Sequence, residues 1–162
     1  MKIGLYAGLV LLLVPFQATL LHSLSPFGIR PDLCLVAACV VGFWAGHFEG
    51  LVVGLLLGFG QDLFSAGELW LNMVTKAGVG FSAGLMAKHL ISTTPRAIFV
   101  PMVLFSIFSG VVFLVSSRVG MGIQEVLQGF PRILLPQALF DGLVAVCANW
   151  LRARWGPQAL NL

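Results

Sequence analysis

Long apolar runs, broken only by isolated polar residues, constrain this chain more than any other feature. Runs such as Leu9-Val10-Leu11-Leu12-Leu13-Val14 show no alternation of polarity, so they do not suit the strands of a membrane barrel, whose two faces alternate. Of 162 residues, 59% are hydrophobic and 9% are charged, against about 25% charged in an ordinary soluble domain. A chain so composed leaves apolar surface that only lipid can solvate. The expectation is an all-α membrane protein built as a single domain. At roughly 20 residues per span, six helices use about 120 residues and leave only short loops.

The spans are read at 3–24, 33–47, 49–63, 70–90, 97–117 and 133–151. The first run is longer than the apolar core of a secretory signal, and no A-x-A site follows it, so it is read as a retained helix. The stretch 33–63 decides the helix count. As one helix it would be about 46 Å long, well beyond a hydrocarbon core of about 30 Å. The polar break His47-Phe48-Glu49-Gly50 therefore predicts a hairpin of two short spans. Positive charge agrees. With both termini cytoplasmic, Lys2, Lys88, Arg96, Arg152 and Arg154 lie inside and Arg30, Arg118 and Arg132 outside, as the positive-inside rule requires. Trp44, Trp150 and Trp155 then stand near the inner interface and Trp70 near the outer one. Residues 122–129 read either as a short amphipathic turn along the outer face or as an ordinary loop.

Glycines recur every fourth residue at Gly42, Gly46, Gly50, Gly54 and Gly58, and Gly4 and Gly8 repeat the spacing on the first helix. Such stripes let helix backbones approach closely. They suit packing within the hairpin or docking of another membrane protein.

Depth sorts the polar residues. Counted inward from the outer ends, Gln17 lies about 10 Å deep, Lys76 about 9 Å and Asp141 about 12 Å. Asn72 and Gln137 are shallower on the same side, and Gln61 and Asp62 sit at the outer mouth of the third span. The inner half holds little beyond Asn149. An ionisable group at the centre of a membrane costs roughly 2.5–3.5 kcal/mol or more and faces a partner or a cavity. Similar depth suggests a Lys76–Asp141 pair, read either as a structural lock or as part of a polar pocket facing outward.

Other chemistry finds little support. The sequence contains no H-E-x-x-H or P-loop pattern, and the G-x-S-x-G at Gly80-Phe81-Ser82-Ala83-Gly84 falls inside an apolar run instead of at the strand-to-helix turn a nucleophile elbow needs, so no catalytic residue is assigned. His22, His47 and His89 are too scattered for a metal site, and no cofactor is implied. Cys34, Cys39 and Cys147 fall inside apolar runs and read as buried thiols. Apart from Lys76, the basic residues are dispersed at or beyond the span ends and form no patch for nucleic acid.

The segment Arg30-Pro31-Asp32-Leu33, then Glu49-Gly50 and Gly54, then Gly58-Phe59-Gly60-Gln61-Asp62-Leu63-Phe64-Ser65 resembles the MreD family of rod shape-determining proteins. That family reads R-P-[DN]-hydrophobic, then G-x-x-x-G-F-x-x-G-x-x-x-D-L-x-S-G-x-x-x-G, then a helix ending in a glycine-rich stretch, where Gly80 and Gly84 stand here. The match covers about residues 30–90. Ala66 and Trp70 depart from positions commonly held by glycine. The resemblance implies a non-enzymatic component of the cell-elongation machinery in the bacterial cytoplasmic membrane. It would work beside MreC and, through it, MreB and the elongation polymerase and transpeptidase of peptidoglycan synthesis. It also implies a fold similar to the six-helix substrate-binding subunits of energy-coupling-factor transporters, which makes a vitamin-binding subunit the rival reading. Asp62 and Ser65 are expected to cap the outer end of the third helix or the loop after it.

Overall fold

The computed structural model describes residues 2–23, 31–64, 70–89, 95–117 and 134–155. These form six helices and no strand: α1 (Lys2–Ser23), α2 (Leu33–Ala45), α3 (His47–Phe64), α4 (Leu71–His89), α5 (Pro95–Ser117) and α6 (Leu135–Trp155). The all-α expectation holds over them. By length and composition one helix is long and apolar enough to cross a membrane, Pro95–Ser116. Gly8–Thr19 and Leu33–Ala45 are apolar but shorter. The segment 122–129 lies outside the described residues, as do Arg30, Ser65, Ala66, Arg118 and Arg132.

The expected hairpin exists, with its turn at Gly46 instead of 47–49. Gly46 has φ 106° and ψ 173°, a backbone region open in practice only to glycine. Its N–H donates to Gly42 O at 3.1 Å, and its own carbonyl accepts from Gly50 N at 2.9 Å. One residue thus ends α2 and starts α3, and His47, Phe48 and Glu49 form the first turn of α3.

Helix α2 is the axis of the bundle. It is apolar on every side, as suits a helix hemmed in by others. One face joins Val14 of α1 and Val53 and Leu57 of α3 around Cys34 and Ala38. The other joins Val79 and Ala83 of α4, Ile98 and Met102 of α5, and Ala145 of α6 around Leu35, Val36 and Cys39. Cys34 and Cys39 are buried as expected, whereas Cys147 is exposed.

The glycine ladder has a different partner from the one expected. A β-carbon on Gly50 would strike the Gly80 carbonyl, one on Gly54 the Lys76 carbonyl, and one on Gly58 the Asn72 carbonyl and the Met73 backbone. Gly42 on α2 also closes on Gly80, and Gly84 closes on His47. The stripe therefore seats α4 against the hairpin, backbone to backbone, and closes the hairpin on itself only at Gly50, whose added β-carbon would also strike the Gly42 α-carbon. Gly4 and Gly8 on α1 face open space among the described residues: a β-carbon added at either would meet none of them within 4 Å.

Polarity is inverted relative to a water-soluble bundle. Leu11, Leu12, Phe48, Phe64 and Val115 are each at least 61% exposed, while Lys76 and Asp141 are 0% exposed and Asp62 is 1%.

Candidate functional site

The buried polar residues form one network, and Asp32 is its hub. Asp32 precedes the first turn of α2, where helix N–H groups lack intrahelical acceptors. Its Oδ1 accepts from Leu35 N at 3.0 Å and from Gln17 Nε2 at 3.0 Å. Gln17 in turn accepts the Cys34 N–H at 3.0 Å. Two first-turn donors of α2 are thus satisfied by one acid and one amide. The other carboxylate oxygen of Asp32 pairs with Lys76 Nζ at 2.8 Å. Its backbone N–H donates to Asp141 Oδ1 at 2.8 Å, and Asp141 Oδ2 accepts from Ser106 Oγ at 2.5 Å.

From Lys76 the network continues toward the N-terminal end of α4. Lys76 Nζ donates to Asn72 Oδ1 at 2.7 Å, and Asn72 Nδ2 donates to Asp62 Oδ1 at 2.8 Å. Asp62 also accepts from Asn72 N at 3.2 Å and Met73 N at 3.0 Å. It therefore caps the start of α4 from the end of α3, rather than capping α3 itself. The chain Ser106–Asp141–Asp32–Lys76–Asn72–Asp62, with Gln17 attached at Asp32, takes a residue from all six helices or, for Asp32, from the residue leading into one.

Five of the seven polar residues singled out in the sequence meet here: Gln17, Asp62, Asn72, Lys76 and Asp141. Gln61 is adjacent in sequence, but its buried Oε1 has no hydrogen-bond partner among the described residues. Gln137, half-buried, stands outside the network. The direct Lys76–Asp141 pair is corrected: Lys76 pairs with Asp32, and Asp141 is joined to that pair through the Asp32 backbone. Equal depth places Lys76 and Asp141 on one level, but Asp32 arrives on that level from the residues before α2. The N-cap preference for aspartate before an apolar run is the signal that could have marked it. Ser106 carries no comparable signal.

A second polar layer lies at the opposite ends of the helices, where the sequence suggests little beyond Asn149. The Tyr6 hydroxyl donates to the Glu49 carboxylate, tying α1 to α3. Trp44 Nε1 donates to Asn149 Oδ1 at 3.1 Å, and the Arg152 guanidinium stacks on the Trp44 ring at 4.1 Å.

Chemically, the central network is a lock. Every carboxylate oxygen of Asp32, Asp62 and Asp141 already accepts a hydrogen bond or ion pair from within the bundle. Burying such groups is tolerated only with this degree of pairing. Family models, curated proteins and solved structures yield no match to this chain.

Proposed function

We propose that the chain is a six-span protein of the bacterial cytoplasmic membrane, of the MreD type, which acts as a non-enzymatic scaffold of the cell-elongation complex. In this reading it binds MreC and, through MreC, connects MreB with the polymerase and transpeptidase of peptidoglycan synthesis. The observation that carries it is the junction of the two motif acids. Asp32 of Arg30-Pro31-Asp32 and Asp62 of the Gly58–Ser65 segment belong to one hydrogen-bonded chain through Lys76 and Asn72. Residues spent on fixing helix positions suit a protein whose work is presenting a surface. A vitamin-binding subunit would instead aim such groups at its ligand.

Apolar side chains on the outside of α1, α3, α4, α5 and α6, with charges at the centre, support membrane embedding. Helix α2 is short, about 20 Å at 1.5 Å per residue, and most of its surface is covered by the other helices. The open Gly4–Gly8 face of α1 is the surface proposed for MreC, since small residues four apart admit a partner helix.

The test is a deletion strain complemented with variants. Loss of the protein should turn rods into round cells whatever nutrients are supplied. Gly8→Leu should keep the protein level while co-purification of MreC and rod shape fail together. Reporters after Ala159 and within 92–96 should read cytoplasmic, and those within 118–130 external. Normal rods with uptake of one vitamin abolished would overturn the scaffold in favour of the transporter subunit.

A further inference from the structure

The lower part of the bundle carries a feature that the polar lock does not use. An apolar groove of about 290 Å³ runs along α2 from Leu33 to Trp44, walled by Leu9 and Leu13 of α1 and by Val144 and Ala148 of α6. Val144, Ala148 and Arg152 are spaced four apart, so they share one face of α6. Arg152 therefore stands at the end of the groove that Trp44 closes, in the last turn of α6. Its guanidinium lies on the Trp44 ring at 4.1 Å, and that ring is held by Asn149 at 3.1 Å. Stacking occupies the face of a guanidinium and leaves its in-plane N–H donors available. Among the described residues Arg152 has no acidic partner.

Size and charge together select the occupant. A partner helix, about 10 Å across, would rest on the rim of a groove of about 290 Å³ without filling it. A single hydrocarbon chain fits an apolar channel of this bore. A cation fixed at one end of it matches an anionic group at the end of that chain. Basic pockets between helices on the cytoplasmic side are suited to anionic lipid headgroups.

We infer that this groove holds one acyl chain of an anionic glycerophospholipid from the inner leaflet, with the lipid phosphate on the Arg152 guanidinium. The inference rests on the membrane-spanning reading above and is independent of the scaffold role. The lipid would fill the gap that α1 and α6 leave over α2 and would join three helices at the cytoplasmic side.

The test uses the full chain with Trp70→Phe, Trp150→Phe and Trp155→Phe, so that Trp44 is the sole tryptophan. It is reconstituted in phosphatidylcholine vesicles containing phosphatidylglycerol or phosphatidylcholine brominated on the acyl chain. Brominated phosphatidylglycerol should quench Trp44 at about fivefold lower mole fraction than brominated phosphatidylcholine, the preference expected of one basic side chain at the surface. Arg152→Gln should abolish the preference, and Arg152→Lys should keep part of it. Ala148→Phe should reduce quenching by both lipids; if that variant does not fold, Ala37→Leu narrows the same groove from α2. Equal quenching by both lipids in the parent overturns the site, as does a preference that survives Arg152→Gln. A groove covered by a second copy would give quenching that rises as protein is diluted into lipid, which also overturns it. Protein extracted from the vesicles by alkaline carbonate sinks the membrane-spanning reading itself, whereas inserted protein without lipid preference sinks this site alone.

Discussion

The α3–α4 seam and the α5–α6 pair both contain glycines, and they use them differently. At Gly50, Gly54 and Gly58 an added β-carbon would run into backbone of α4. At Gly142 it would meet the Phe99 ring and Val103 at 2.8–2.9 Å, and at Gly110 it would meet Leu134 at 2.9 Å. Side chains can turn aside, but a helix backbone moves only as a unit. The seam is therefore rigid where the pair is adjustable. It is also where the polar lock is anchored. Lys76, whose carbonyl lies over Gly54, sends its ammonium to Asp32. Close backbone approach and ion-pair placement are thus two consequences of one helix contact, and α5 and α6 add Ser106 and Asp141 to a site that the first four helices position.

The largest effect should come from breaking the ion pair. Lys76→Met or Asp32→Asn alone should cost about 3–5 kcal/mol by leaving an unpaired group in the interior. It would be read as loss of monodisperse protein after mild detergent extraction and a lower midpoint of thermal unfolding. The Lys76→Met/Asp32→Asn double variant should recover much of that loss, and it should recover more than Lys76→Met/Asp141→Asn does. Equal coupling to both acids would restore the direct Lys76–Asp141 pair.

Next in size is the contrast between the two sets of glycines. Gly54→Ala should destabilise by about 3 kcal/mol or more, at or above the upper end of overpacking costs. Gly142→Ala should cost about 1 kcal/mol, since Phe99 and Val103 can shift. Equal midpoints for the two variants would erase the distinction between seam and pair. The smallest effect belongs to Gly8→Ala. None of the described residues lies within 4 Å of its added methyl group, and alanine is the better helix former by up to about 1 kcal/mol, so the isolated protein should be unchanged or slightly more stable. A clear destabilisation would mean that α1 packs against something on that face within the chain.

Much of this architecture is already present in one dimension. Apolar runs and the polar break at His47–Gly50 determine six helical segments and the hairpin, though not the turn residue Gly46, because hydrogen bonding within a helix is local and needs no partner. The same reading finds most members of the polar network, since an ionisable residue inside an apolar run must be buried against something. Pairing is not legible there. Depth along a helix is a single coordinate, whereas contact also requires that two side chains point toward each other, and that rotation is set only when the helices pack. Asp32 escapes notice as the hub for a related reason: it lies just outside a counted span, and the fold brings it level with residues well inside one.

The glycines mark the same boundary. Their four-residue spacing determines that α3 has a flat stripe on which something must lie closely. It does not encode what lies there, because a stripe without side chains has no chemistry that chooses between α2, α4 and another protein. Tertiary structure set Gly54 and Gly58 against α4 and Gly50 against both α4 and Gly42 of α2, and among the described residues it left Gly8 open. Sequence alone settled where helices form and which ionisable groups lie inside apolar runs and need partners. Which helix answers each stripe, and which acid answers Lys76, was decided only when six rods with several compatible faces adopted the arrangement that satisfied all of those demands together.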